Sequence, residues 1–139
     1  MHARLSMVCL GLVVVVIGTF LPWLRSGSVD RNSYAVGGAV RRLLPVHGAA
    51  EAALSAWPFV GLLCATAIGL ILFGLVRTGA AVAAATALVC AVVSAWVLTT
   101  SGQGVIRRAA LGPSTTLAGA VITVLAVITC FAPHARRNT

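Results

Sequence analysis

Residues 57–98 read WPFVGLLCATAIGLILFGLV, RTG, AAVAAATALVCAVVSAWVL: two apolar runs of 20 and 19 residues separated by one charge, Arg77. At 1.5 Å per helical residue each run is about 30 Å long, the thickness of the hydrocarbon core of a bilayer. Arg77-Thr78-Gly79 leaves room only for a tight hairpin, so the sequence predicts antiparallel transmembrane helices over 57–76 and 80–98. Upstream, the 20 residues between Arg4 and Arg25 carry no charge and predict a first span over 6–24. Downstream, 115–132 predicts a last span, stopped by Pro133 and the basic tail with Arg136 and Arg137. Arg4 ahead of an apolar run also fits the start of a secretory signal, but the run exceeds the usual apolar length of roughly 7–15 residues. No small-residue cleavage site follows it promptly, so the span is expected to stay. The expected fold is all-α: a four-helix transmembrane bundle in one domain, 1–139, with both termini on one side and the loops 25–55 and 100–114 on the other.

Composition excludes a soluble domain. Of the 139 residues 60% are hydrophobic and 9% charged, and mean hydropathy is +1.05, whereas soluble domains carry roughly 25% charged residues. The net charge of +8 comes from ten arginines, with no lysine, against Asp30 and Glu51. A nucleic-acid surface gathers such charge on one solvated face. Here the arginines stand in ones and twos between apolar runs, which is the pattern of membrane flanks, and no nucleic-acid partner is expected.

Trp23, Trp57 and Trp96 all fall at the loop end of their spans, the place of interfacial anchors. Arg4, Arg77, Arg136 and Arg137 lie hard against helix ends, whereas Arg25, Arg31, Arg41, Arg42, Arg107 and Arg108 are spread over the two long loops. Positive charge acts on topology most strongly close to helix ends, so both termini are expected in the cytoplasm, with the protein multi-pass in the cell membrane.

Small residues recur every fourth position along the third span, at Gly79, Ala83, Ala87, Ala91 and Ala95, and along the second, at Gly61, Ala65 and Gly69. Such faces let helices approach closely, so these two spans are expected to pack on each other. Thr86, Cys90 and Ser94 form a second stripe, as do Thr115, Gly119 and Thr123. Packing is the plain reading of both, and a weakly polar path for a solute is the sharper one.

No Asp, Glu, Arg, Lys or His lies inside any expected span. Proton-coupled and charge-selective transport depend on intramembrane ionisable groups, so the glutamate-based mechanism of compact four-helix multidrug antiporters is not open to this chain. Cys9, Cys64, Cys90 and Cys130 lie singly within spans, unlike the paired surface cysteines of quinone-linked thiol oxidoreductases, and read as small apolar residues. His47 and Glu51 lack a third ligand, so no metal and no cofactor is expected. No nucleophile-base constellation with a third member exists, and no enzyme is expected.

Recognition therefore falls to the loops. Asp30 is expected to pair with a nearby arginine in a turn-rich stretch, and 34–44 predicts a short interfacial amphipathic helix with Val36, Val40, Leu43 and Leu44 on one side and Arg41 and Arg42 on the other. Trp23, Arg25, Asp30, Arg31, Tyr34, Arg41, Arg42, Arg107 and Arg108 are the candidate contacts to membrane lipids or to a partner protein.

The stretch Gly18-Thr19-Phe20-Leu21-Pro22-Trp23-Leu24-Arg25-Ser26-Gly27, followed by Asp30-Arg31-Asn32-Ser33-Tyr34, resembles a pattern in small four-span membrane proteins of actinobacteria, mycobacteria among them. The resemblance covers about seventeen residues. It implies a four-span protein of the cell envelope and implies no activity. The expectation is a non-catalytic accessory or scaffold subunit that meets a partner or lipid headgroups through its basic loop face. The alternative is an uncoupled transporter or channel for a lipid-like or uncharged solute, formed as a homo-oligomer.

Overall fold

In the computed structural model, described for residues 2–26, 29–35, 37–38, 48, 55–99 and 106–131, the chain is predominantly helical. Helix α1 (His2–Phe20) runs into strands β1 (Pro22–Ser26) and β2 (Val29–Asn32). A 3-10 turn, Trp57–Phe59, leads into α2 (Val60–Leu72), and α3 (Val76–Thr99), β3 (Ile106–Arg108) and α4 (Leu111–Phe131) follow. Three helical segments, Ala3–Phe20, Val76–Thr99 and Leu111–Phe131, are long and apolar enough to cross a membrane. The apolar helix Trp57–Leu72 is shorter. Its 16 residues reach about 24 Å, less than the roughly 30 Å of a hydrocarbon core.

The hairpin between α2 and α3 lies earlier than the charge pattern suggests. It is Phe73-Gly74-Leu75, and Arg77, Thr78 and Gly79 belong to the first turns of α3. Gly74 has φ +85°, and its N–H donates to the Ile71 carbonyl at 3.1 Å while Leu75 N–H donates to Leu70 at 2.8 Å. This pair of bonds closes a helix end with a left-handed residue, a conformation in which any side chain is strained. The glycine, and not the charge, decides where the chain turns.

Arg4, in the first turn of α1, donates to the carbonyl of Thr129 in the last turn of α4, so both ends of the helical chain share one end of the bundle. A cation there also opposes the negative end of the α4 dipole. The three strands gather at the other end as an antiparallel sheet in the order β2-β1-β3. Strands in this region are a departure from the all-helical expectation with a turn-rich loop. They satisfy the backbone of a segment that leaves α1 directly, where unpaired N–H and C=O groups would be costly.

The closest helix pair is α1 with α4, not α2 with α3. Gly11 and Gly18 of α1 face Thr123 and Thr116 of α4, and Gly119 of α4 faces Val15. A methyl group at 119 would lie 2.6 Å from the Val15 backbone nitrogen, and one at 18 would lie 2.6 Å from that of Thr116. Main chain meets main chain there, and the hydroxyls of Thr116 and Thr123 turn inward to the carbonyls of Gly112 and Gly119, each at 2.9 Å. Thr115, expected to share this stripe with Gly119 and Thr123, is only partly buried, and Thr116 takes its place.

On α3, Gly79, Ala83 and Ala87 are buried, and Ala91 and Ala95 are partly so. The facing side of α2 is Val60, Cys64, Ala67 and Ile71, with the backbone of Ala67 and Ile71 lying against Gly79. The expected partner stripe is corrected: nothing lies within 4 Å of a methyl placed at Gly61 or Gly69, and Ala65 is exposed. Larger residues at spacings of four, three and four hold the interface, because they fill the groove that the small face of α3 leaves. Of the expected amphipathic helix over 34–44, residues 34, 35, 37 and 38 are described and helical, and the remainder, with Arg41 and Arg42, lies outside the described residues.

Candidate functional site

At the sheet end, the last turn of α1 leaves carbonyls without partners in the helix. Leu21 N–H donates to Ile17 at 3.2 Å, Trp23 Nε1 to Gly18 at 2.9 Å and Ser33 Oγ to Thr19 at 2.7 Å. Thr19 Oγ1 donates to the Val16 carbonyl at 2.7 Å, so the hydroxyl of Tyr34, 3.1 Å away, is the donor to Thr19 Oγ1. Asn32 Oδ1 accepts from Ala35 N–H at 3.0 Å and starts the helical turn that carries Ser33 and Tyr34. Phe20 packs against Tyr34 with ring centroids 5.3 Å apart.

Two expected contact residues therefore serve the interior. Trp23, expected as an interfacial anchor, is 3% exposed. It packs edge-on against Trp57 at 5.7 Å, lies against Gly112 of α4, and accepts from Ala109 N–H through its own carbonyl at 3.2 Å. Trp57 is buried as well, and of the three tryptophans only Trp96, 68% exposed, faces outward. The expected single tryptophan belt is corrected accordingly. The indole ring closes the top of the bundle because its N–H finds a helix-end carbonyl and its apolar body fills the space above Gly112. Tyr34 is half-buried and tied to Thr19.

The arginines are distributed differently. In the sheet, Leu24 of β1 stands between Arg31 and Arg108, and Arg25 stands between Asp30 and Arg107. Arg25 and Arg31 are exposed. The strands thus bring four arginines and one aspartate, from residues 25–31 and 107–108, into two adjacent rows at one end of the bundle. Successive residues of a strand point to opposite faces of a sheet, so the row that contains Arg25 and the row that contains Leu24 belong to opposite faces.

A groove of about 360 Å³ opens between α2 and α3 directly below this end. Trp57, Val60 and Leu63 form one wall, and Val82, Val89 and Val93 the other. Sequence reasoning had no signal for it, since its residues belong to generic apolar runs. Cys64 and Cys90 are buried in the core as free thiols, and Cys9 and Cys130 are partly buried. Among the described residues, no group of three or more His, Cys, Asp or Glu is placed to hold a metal ion. His47 and Glu51 lie outside the described residues.

No family model, no curated protein and no solved structure matches the chain.

Proposed function

We propose that this chain is a non-catalytic accessory or scaffold subunit of the cell envelope, multi-pass in the cell membrane, with α2 making a fourth crossing and both termini in the cytoplasm. It docks on a partner protein or on lipid headgroups through the basic sheet end. The observation that carries this reading is the registration of Arg25, Arg31, Arg107 and Arg108 on one small sheet that caps a bundle of apolar helices. The adjoining Trp23, Ser33 and Tyr34 fasten that sheet to α1 and leave recognition to the arginines. Arg41 and Arg42 add charge to the same loop in sequence. The buried threonines favour this over a polar conduction path: Thr19, Thr116 and Thr123 donate to carbonyls of their own helices, which occupies each hydroxyl proton. The test is recovery of a tagged chain from its native membrane in mild detergent. A stoichiometric partner retained by the unaltered chain and lost in Arg31→Ala supports the reading, and unchanged recovery in that variant overturns it.

A second reading, an oligomeric uncoupled transporter or channel for a lipid-like or uncharged solute, draws on one observation. Gly61, Ala65 and Gly69 present an uncovered small-residue face on α2 of the type that mediates helix association in membranes. Its test is flux in liposomes, with Ala65→Leu expected to abolish it together with the oligomer.

A further inference from the structure

We infer that the turn between α2 and α3 is a lipid anchor: Leu72, Phe73 and Leu75 are seated in the acyl chains of the leaflet on the side of the termini, and the Arg77 guanidinium meets lipid phosphates of the same leaflet. This rests on the reading of α2 as a fourth crossing and states how that crossing ends.

Turns that stand in water are rich in Asn, Asp, Ser, Pro and Gly. This one, Leu72-Phe73-Gly74-Leu75, is apolar apart from the glycine that its left-handed φ requires. Leu72 is 77% exposed and Phe73 87%, more than any other large hydrophobic side chain among the described residues, and Leu75 is 55% exposed. The backbone of the turn asks little of water, because the N–H groups of Phe73, Gly74 and Leu75 donate to the carbonyls of Gly69, Ile71 and Leu70. Hydrocarbon admits backbone only where its polar groups are satisfied in this way.

The helix lengths place the turn. Trp57 and Gly112 both lie against Trp23 at the sheet end. From there the 16 residues Trp57–Leu72 reach about 24 Å, and α4 reaches about 26 Å from Gly112 to Thr129. The turn is therefore level with the last turn of α4, where Arg4 is bonded to Thr129. On α3 the exposed Trp96 and the exposed Arg77 stand about 28 Å apart, close to the roughly 30 Å of a hydrocarbon core, and so mark its two edges. A helical side chain leans towards the N-terminus of its helix, which for Arg77 is the turn. Its guanidinium reaches the headgroups while its stem lies beside the three apolar side chains, whose place is the acyl layer just beneath. A protein partner fits less well, since four residues cannot supply the roughly 800 Å² per partner that a specific interface buries.

The experiment is cysteine labelling of the full-length chain in leaky liposomes of phosphatidylglycerol and phosphatidylcholine with a charged, membrane-impermeant maleimide. The unaltered chain, with its four free cysteines, sets the background. Leu72→Cys and Leu75→Cys are expected to react to less than about a tenth of the extent reached in SDS. Reaction within about twofold of that extent puts the turn in water and overturns the proposal. Ala65→Cys, exposed halfway along α2, keeps the two readings apart. If it reacts as well, α2 lies outside the membrane and the fourth crossing fails. If it stays protected while Leu72→Cys reacts, the crossing stands and the anchor fails.

A bimane fluorophore, attached to Leu72→Cys in detergent before reconstitution, separates lipid from protein as the cover. Nitroxides at carbon 5 of the acyl chains are expected to quench it at least about twofold more strongly than nitroxides at carbon 12. Protection from the maleimide without quenching by either would assign the cover to protein and overturn the proposal. When Arg77→Gln is added, the turn is expected to sink and the two nitroxides to quench equally. An unchanged preference for carbon 5 overturns the role given to Arg77.

Discussion

Gly18 of α1 lies against Thr116 of α4 so closely that a methyl group at position 18 would sit 2.6 Å from the Thr116 backbone nitrogen. A side-chain neighbour can rotate away, but a backbone neighbour moves only if the helices part. Gly18→Ala is therefore expected to destabilise the fold by about 1–3 kcal/mol, the range of overpacking in a filled core. Gly61→Ala and Gly69→Ala, with nothing within 4 Å, are expected to be neutral or to stabilise by up to about 1 kcal/mol through helix propensity. Thermal unfolding of the three variants in one detergent, followed by circular dichroism, checks the contrast. Equal effects would show that α1 and α4 do not meet as described.

Trp23 is expected to behave as a core residue. Trp23→Phe keeps an aromatic ring against Trp57 but leaves the buried Gly18 carbonyl without its donor, a loss of about 1–3 kcal/mol. Single-tryptophan variants in bilayers with brominated acyl chains separate the three indoles. Trp96, 68% exposed, is expected to be strongly quenched, and Trp23, 3% exposed, to be protected. Strong quenching of Trp23 would return it to the headgroup layer and remove its role as the closure of the bundle.

How far the sequence reads correctly depends on the range of the physics involved. Uncharged length is a local property, so the long apolar helices can be read from residues such as those between Arg4 and Arg25. Helix pairing is not local. Gly61, Ala65 and Gly69 have the right spacing for a close contact, yet spacing does not say which face of α2 turns inward. The contact falls instead to Gly11, Gly18 and Gly119, whose spacing of seven in α1 is less conspicuous. The hairpin was legible in principle, because Gly74 is the residue able to take a left-handed conformation, but the charge of Arg77 is the louder signal. The sheet left only a faint trace: Gly27-Ser28 is a two-residue hairpin signal, but the runs it separates hold one strand former each, Trp23 and Val29, beside the strand-poor Pro22, Asp30 and Asn32. Its third strand, β3, comes from 80 residues away, and no local pattern announces that pairing.

At the hairpin itself, Gly74→Ala places a side chain at φ +85° and is expected to cost about 1–2 kcal/mol. Thr78→Ala, at the turn that the charge pattern suggests, replaces an exposed residue in the first turns of α3 and is expected to change stability by less than about 0.5 kcal/mol. Denaturation by a graded detergent mixture, compared for both variants, locates the turn. A larger effect at Thr78 than at Gly74 would move it back to Arg77.

Tyr34 and Arg31 lie three residues apart and are expected to fail in different ways. Tyr34→Phe removes one hydrogen bond, from a hydroxyl to Thr19 Oγ1, and retains the ring against Phe20. Its expected cost is about 0.5–1.5 kcal/mol, with partner recovery unchanged. Tyr34→Ala also loses the packing on Phe20 and is expected to loosen the sheet from the end of α1, lowering stability and recovery together. Arg31→Ala removes an exposed cation and is expected to change stability by no more than about 0.5 kcal/mol while reducing recovery. Measuring unfolding temperature and partner recovery on the same three preparations separates fastening from docking. If Tyr34→Phe lost the partner at full stability, the tyrosine hydroxyl would itself belong to the docking surface, and its bond to Thr19 would be secondary.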